Sequence, residues 1–373
     1  MRVVLIARML SVGGAERQFV ALAKGLHSRR CDVHVVLFYG GGDLEAELAE
    51  AGVPIYCLEK AGRWDLFSFV ARFQRALGRL EPSVVYSFLD LPNILSALFW
   101  PMMGRPRLVW SIRAAGVEME HYDWLTRSAS CLEARLSGRA SWVIANSHAG
   151  AAWAHERGFP YGRISVVENG IDTERFQPDP AGRARVRSEW DVGDDEILVG
   201  LTGRLDAMKD HPNFLQACAA LLVSRPFLKF ACIGSGPAAY HAELVALAES
   251  LGIGSRLIWT GPRSDMPAVY SALDVACSAS AFGEGFSNAV GEAMACGVPC
   301  VVTDVGDSSR IVGNCGEVVP PRNASRLAAA IGVMLDRLCC EADLKQRCRA
   351  RIETNFSVAS MVTSTERILM ENG

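Results

Sequence analysis

Short runs of unbroken apolar residues alternate with longer stretches in which apolar positions recur every three or four residues. The runs at 3–7, 33–38, 53–58, 84–88, 108–112 and 142–145 predict strands, and 15–28, 43–51, 64–80 and 93–102 predict helices. A second series follows, with strands at 197–202, 228–233, 256–259, 275–278 and 299–303. Strands that are apolar throughout belong to sheets covered on both faces, and regular alternation with helices implies parallel strands joined by crossovers. The expected architecture is α/β, with two Rossmann-like doubly wound domains facing a cleft. The boundaries fall at 1–170, 171–355 and a last helical segment at 356–373, with 176–184 as surface connection. Such sheets bind ligands at the carboxyl ends of their strands, which directs attention to the turns that follow them.

Length fits two domains: 373 residues, half of them hydrophobic and 21% charged, an ordinary globular balance. The formal net charge of -3 gives no reason to expect nucleic acid. Residues 1–160 carry 18 Lys+Arg against 15 Asp+Glu, and the remainder 20 against 26. That asymmetry fits an anionic acceptor or headgroup surface near the first domain as well as it fits scatter. The twelve cysteines are dispersed, without zinc-knuckle spacing. Cys218, Cys232, Cys277 and Cys300 sit in apolar runs, as small buried hydrophobes do in a reducing compartment. No signal-peptide pattern precedes the first strand, and the longest apolar stretch, 91–103, is too short and too broken to span a bilayer. A cytoplasmic protein is expected, peripheral at most to the inner membrane face.

Two motifs carry chemistry. Gly203-Arg204-Leu205, with Lys209 and Asp210 beyond, follows the strand at 197–202. A close backbone approach at Gly203, a forked guanidinium and a mobile ammonium suit a diphosphate; two solvated surface cations fit the spacing equally well. The second runs Glu284-Gly285-Phe286-Ser287-Asn288-Ala289-Val290-Gly291-Glu292-Ala293-Met294-Ala295-Cys296-Gly297-Val298-Pro299. Ser287 is expected as the N-cap of a helix that Gly297 stops. The first amides of such a helix favour phosphate. Glu284 is placed to meet sugar hydroxyls, and Glu292 the vicinal hydroxyls of a ribose.

This second motif resembles the retaining glycosyltransferases of the GT-B fold, family four (glycosyl transferases group 1). The Gly-Arg-Leu run with Lys209 and Asp210, Asn169-Gly170-Ile171-Asp172, Ile233-Gly234-Ser235-Gly236 and Gly13-Gly14-Ala15-Glu16 are similar to the same family. The resemblance is strong over 165–320 and weak over 40–140. It implies Arg204, Lys209 and Glu284 as the catalytic group. Gly13, Gly14, Gly203, Phe286, Ser287, Asn288, Glu292 and Arg263 are implied around the donor, with the last helix crossing back to the first domain. Many relatives carry a histidine at the end of one first-domain strand, where this sequence has Arg113. Arg113 and His121 are therefore candidates for phosphate or an anionic acceptor.

The implied activity is retaining, metal-independent hexosyl transfer, with no cofactor beyond a UDP- or GDP-linked sugar. The acceptor is a glycan or a lipid-linked saccharide, as in cell-surface polysaccharide synthesis. Two other readings compete. Gly234-Ser235-Gly236-Pro237-Ala238-Ala239 fits a dinucleotide pattern, hence an NAD-dependent oxidoreductase, although no acidic residue ends the next strand. A protein that binds nucleotide sugars without catalysis is the other. The segment 63–80 mixes Trp64, Phe67, Phe69, Val70, Phe73 and Leu77 with Arg63, Arg72, Arg75 and Arg79. It suits a membrane-surface helix, and better a core-facing helix with a solvated basic side.

Overall fold

A computed structural model describes residues 1–62, 65–118 and 123–371. The chain forms two compact units, Met1–Gly170 with Val358–Gly373, and Ile171–Ser357.

In unit 1 the elements run β1 (Arg2–Ala7), α1 (Gly14–Ser28), β2 (Asp32–Leu37), α2 (Glu45–Glu50), β3 (Ile55–Cys57), α3 (Leu66–Leu80), β4 (Val84–Phe88), α4 (Asp90–Phe99), β5 (Arg107–Ile112), α5 (Trp124–Leu136), β6 (Trp142–Ala145), α6 (His148–Glu156) and β7 (Ile164–Val166). All strands are parallel in the order β3-β2-β1-β4-β5-β6-β7, with Val3 paired to both Val33 and Val84. β1 shows why its sequence is apolar without alternation. Val3 and Leu5 enter one cluster with residues of α1, while Val4 and Ile6 enter another with Phe69, Phe73 and Leu77 of α3.

Unit 2 continues with α7 (Pro180–Glu189), β8 (Ile197–Thr202), α8 (His211–Leu222), β9 (Leu228–Ile233), α9 (Ala238–Ser250), β10 (Leu257–Gly261), α10 (Met266–Ala272), β11 (Val275–Ser278), α11 (Asn288–Ala295), β12 (Cys300–Thr303), α12 (Ser308–Val312), β13 (Glu317–Val319), α13 (Ala324–Cys340) and α14 (Leu344–Asn355). Its parallel sheet has the order β10-β9-β8-β11-β12-β13. The four cysteines expected as small hydrophobes are buried and free. The last helix, α15 (Val358–Met370), packs on α1. Gly25 permits that approach, since a side chain there would strike Val362. Arg29 ties the pair by bonds to Glu366 and Thr363.

Three expectations need correction. The stretch 176–184 is not all surface connection. Phe176 is buried, and α7 starts at Pro180 because proline is pre-shaped for a first helical position and Asp179 caps the Gly182 amide at 2.8 Å. Phe67 points to solvent rather than into the core under α3. Two three-residue strands, β7 and β13, went unforeseen. Arg63 and Trp64 lie outside the described residues.

Candidate functional site

Unit 2 gathers its charged candidates where β8 and β11 end. After β8 the chain makes a turn in which the Asp206 carboxylate accepts from the Lys209 amide at 3.3 Å and pairs with Arg204 at 3.1 Å. Asp210 follows with φ 47° and caps α8 at the Asn213 amide. This turn sends the Lys209 ammonium onto Glu284, whose Oε1 also accepts from the Ser280 hydroxyl at 2.9 Å. Ser280 is itself held by Thr303, whose hydroxyl donates to the Ser280 carbonyl at 2.7 Å. Burial pushes the Glu284 carboxyl up, but Lys209, Ser280 and Arg204 outweigh it, and the net shift is below the ordinary value of 4.5. The buried site therefore holds an ionised acid against a cation, while the Arg204 guanidinium stays exposed. His211, fully buried at the start of α8, stays neutral: burial, reinforced by Lys209, lowers its imidazole to about 4.

α11 begins four residues after Glu284. Ser287 sits at the N-cap, but its hydroxyl makes no capping bond. The Phe286 ring is buried against Phe356, so its side chain belongs to the core. Glu292, one turn into the helix beyond Asn288, accepts from the Tyr270 hydroxyl at 2.9 Å. Burial and the adjacent Glu292 carboxylate push that phenol well up. Arg263 is engaged elsewhere: Glu189 and Asp265 both bind it, and it lies over Trp190.

The glycines after β8 and β9 have a structural cause. Gly234 has φ 142°, and any side chain there would strike the Gly203 carbonyl oxygen; one at Gly236 would strike the Leu205 carbonyl. The Leu205 amide bonds the Ser235 carbonyl at 2.9 Å. Backbone packing of two adjacent loops thus accounts for the glycine pattern that suggested a dinucleotide.

Unit 1 carries a cavity of about 620 Å³ at the carboxyl ends of β1, β2 and β4. Its wall includes Arg8, Ser11, Glu16, Phe19, Tyr39 and Phe88. Leu89, also in the wall, has φ 71°, a conformation that costs a leucine about 1–3 kcal/mol and is kept where the surroundings impose it. Gly13 and Gly14 open α1 beside the wall residues Ala15 and Glu16. Arg113 lies over the Phe88 ring at 4.4 Å and donates to Asn169 Oδ1 and to the Tyr86 hydroxyl, each at 3.1 Å. His121 lies outside the described residues. Sequence reasoning missed Ser280, Thr303 and Tyr270 as partners, and it missed the cavity.

Comparison with known proteins agrees with this division. A family model described as Glycosyltransferase Family 4 matches residues 12–175, and one described as Glycosyl transferases group 1 matches 196–337. The GDP-mannose-dependent alpha-(1-6)-phosphatidylinositol monomannoside mannosyltransferase of Mycolicibacterium smegmatis is 32% identical over 47% of this chain and 48% of its own. The lipopolysaccharide core biosynthesis mannosyltransferase LpsB of Rhizobium meliloti is 30% identical over 52% and 57% respectively. The chain thus spans about half the length of the curated relatives it matches. Among solved structures, Anabaena HepE in complex with UDP-glucose aligns over 99% of both chains, with a TM-score of 0.87 and 23% identity. The fold is accordingly that of the GT-B glycosyltransferases. With both units matched, the chain belongs to the family-four, group 1 glycosyltransferases.

Proposed function

We propose that this protein is a retaining glycosyltransferase that transfers a hexosyl group from a UDP- or GDP-linked donor to a glycan or lipid-linked saccharide. The observation that carries the reading is the Lys209–Glu284 pair, its carboxylate buried, with Arg204 beside it at the end of β8. A donor diphosphate draws the Lys209 ammonium and the Arg204 fork toward its oxygens, and the first amides of α11 add partial positive charge. Glu284, released from Lys209 but still held by Ser280, turns its carboxylate to hydroxyls of the transferring sugar. As the bond from the anomeric carbon to phosphate breaks, these groups neutralise the charge on the leaving diphosphate. The acceptor oxygen attacks from the same face and gives its proton to the departing phosphate oxygen. Glu292 is assigned to the ribose and Arg113 to acceptor or phosphate. The names of the relatives support mannosyl or glucosyl donors, since one is GDP-mannose-dependent and another protein of this fold holds UDP-glucose.

The test is a binding panel of UDP, GDP, ADP and NAD, read by thermal shift, followed by transfer assays with the sugar of the winning base. Stabilisation by one nucleoside diphosphate, with its release in the presence of acceptor, is expected. Stabilisation by NAD alone overturns the assignment, and donor binding without transfer or slow donor hydrolysis marks a non-catalytic binder.

A further inference from the structure

No step of the proposed reaction uses Tyr270. The residue is 1% exposed, and its hydroxyl donates to Glu292 Oε2 at 2.9 Å. The ring packs edge-on against Phe176, with centroids 6.1 Å apart. Phenylalanine would fill the same space, so packing does not account for the hydroxyl, and a buried phenol needs a polar partner. Burial and the neighbouring Glu292 carboxylate push the phenol well up, so it keeps its proton and donates.

The phenol stands on an anchored mount. The last carbonyls of a helix have no partner within it. At the end of α10, Arg183 of α7 supplies one, donating to the carbonyls of Ser271, Ala272 and Leu273 at 2.9, 3.0 and 3.2 Å. Asp274 holds that guanidinium at 2.7 Å and the buried Arg187 at 3.2 Å. Glu292, by contrast, is only half-buried on α11. A glutamate at that exposure ordinarily keeps much of its rotamer freedom. Here one carboxylate oxygen is tied to a neighbouring helix whose own end is fixed.

That tie bears on recognition. A mobile carboxylate turns to water when its ligand lacks a hydroxyl, at small cost. A carboxylate held in one orientation does not, and the missing hydroxyl leaves an acceptor unpaired in the occupied site. We infer that Tyr270 is a positioning residue that sets donor specificity: by pinning Glu292 it restricts the site to ribonucleoside diphosphate sugars and excludes their 2′-deoxyribonucleoside counterparts. The inference rests on the assignment of Glu292 to the ribose and adds the class of nucleoside accepted.

Isothermal titration of the whole chain with UDP, GDP and their 2′-deoxy forms is the test. The parent binds the ribo form of its preferred base about ten- to a hundredfold more tightly than the deoxy form, the range for a hydrogen bond to a charged group. Tyr270→Phe keeps the ring, lowers affinity for the ribo form about fivefold and leaves the deoxy form near the parent value, so the ratio shrinks. Glu292→Ala brings the ratio to about one, and adding Tyr270→Phe to it changes nothing further, as for two residues acting through one contact. Equal losses on ribo and deoxy forms in Tyr270→Phe mark a merely structural role and overturn the inference. So does a parent-like ratio in Tyr270→Phe when Glu292→Ala abolishes it. Equal affinity of the parent for both forms overturns the inference and the ribose assignment together, and leaves the transferase reading standing. Absence of binding to both UDP and GDP overturns that reading as well.

Discussion

The two units share one architecture but build their sites by different means. Unit 2 concentrates charge. A turn after β8 and the loop before α11 bring an ammonium, a guanidinium and a buried carboxylate together. Unit 1 offers volume: a cavity walled by residues between Ala7 and Leu89, with Arg113 stacked on one wall residue and hydrogen-bonded behind it. The difference teaches how a fold divides labour. Under the proposed function, a diphosphate that presents the same charges in every donor would be met by fixed charges, and an acceptor that varies would be met by shape.

The sharpest way to break this contrast is Lys209→Ala. Transfer is expected to fall by about two to three orders of magnitude at low donor concentration, a range typical of losing one preorganised charge. Parent rates would remove Lys209 from the chemistry. The same variant weakens a pH dependence. With Lys209 present, the Glu284 carboxyl lies below its unfolded value, so its contribution to stability is present above about pH 4.5 and is lost as pH falls through the folded value. Without Lys209 the carboxyl keeps only Ser280 and Arg204 against the burial that raises it, so that contribution shrinks. The melting-temperature gap between parent and variant is therefore wide at neutral pH and narrows toward pH 4; a gap independent of pH contradicts the pairing.

Gly234→Ala comes next. The new side chain meets the Gly203 carbonyl in a conformation that already strains alanine. The cost is about 1–3 kcal/mol in denaturant unfolding, with weaker binding of nucleoside diphosphate, because the Arg204 turn must move. A neutral substitution would break the link between loop packing and the cation pair. In unit 1, Arg113→Lys loses the fork that reaches Asn169 and Tyr86 together. It should raise the acceptor KM about tenfold and leave nucleotide binding unchanged; the reverse pattern would move Arg113 to the donor. Ser280→Ala is the mildest. Glu284 keeps Lys209 but loses one bond, for about a fivefold loss of transfer, or about 1 kcal/mol.

What the sequence could show follows the same division. Strands covered on both faces are unbroken apolar runs, so β4, β6, β8, β9 and β11 were legible to the residue. β7 and β13 are three residues long and partly exposed, and they carry no such run. Glu284 and Lys209 stand out because charge beside apolar strands needs a reason. Ser280 and Thr303 do not, since small hydroxyls in a loop follow no periodicity. The unit 1 cavity was invisible for another reason: its wall mixes ordinary hydrophobes with residues far apart in the chain. α5 hid its character too, because it buries Glu133 against Arg157 and Asn93 while exposing Trp124, the inverse of the pattern that marks a core-facing helix.

The packing of α15 on α1 has a consequence for how the molecule is made. Unit 2 is one continuous stretch, and every residue of its sheet has been synthesised before α15. Unit 1 begins first but must wait with the Gly25 side of α1 uncovered until the chain returns with Val362. The order of translation and the order of completion are therefore opposite. The half that emerges earliest spends the longest time with apolar surface open to chaperones.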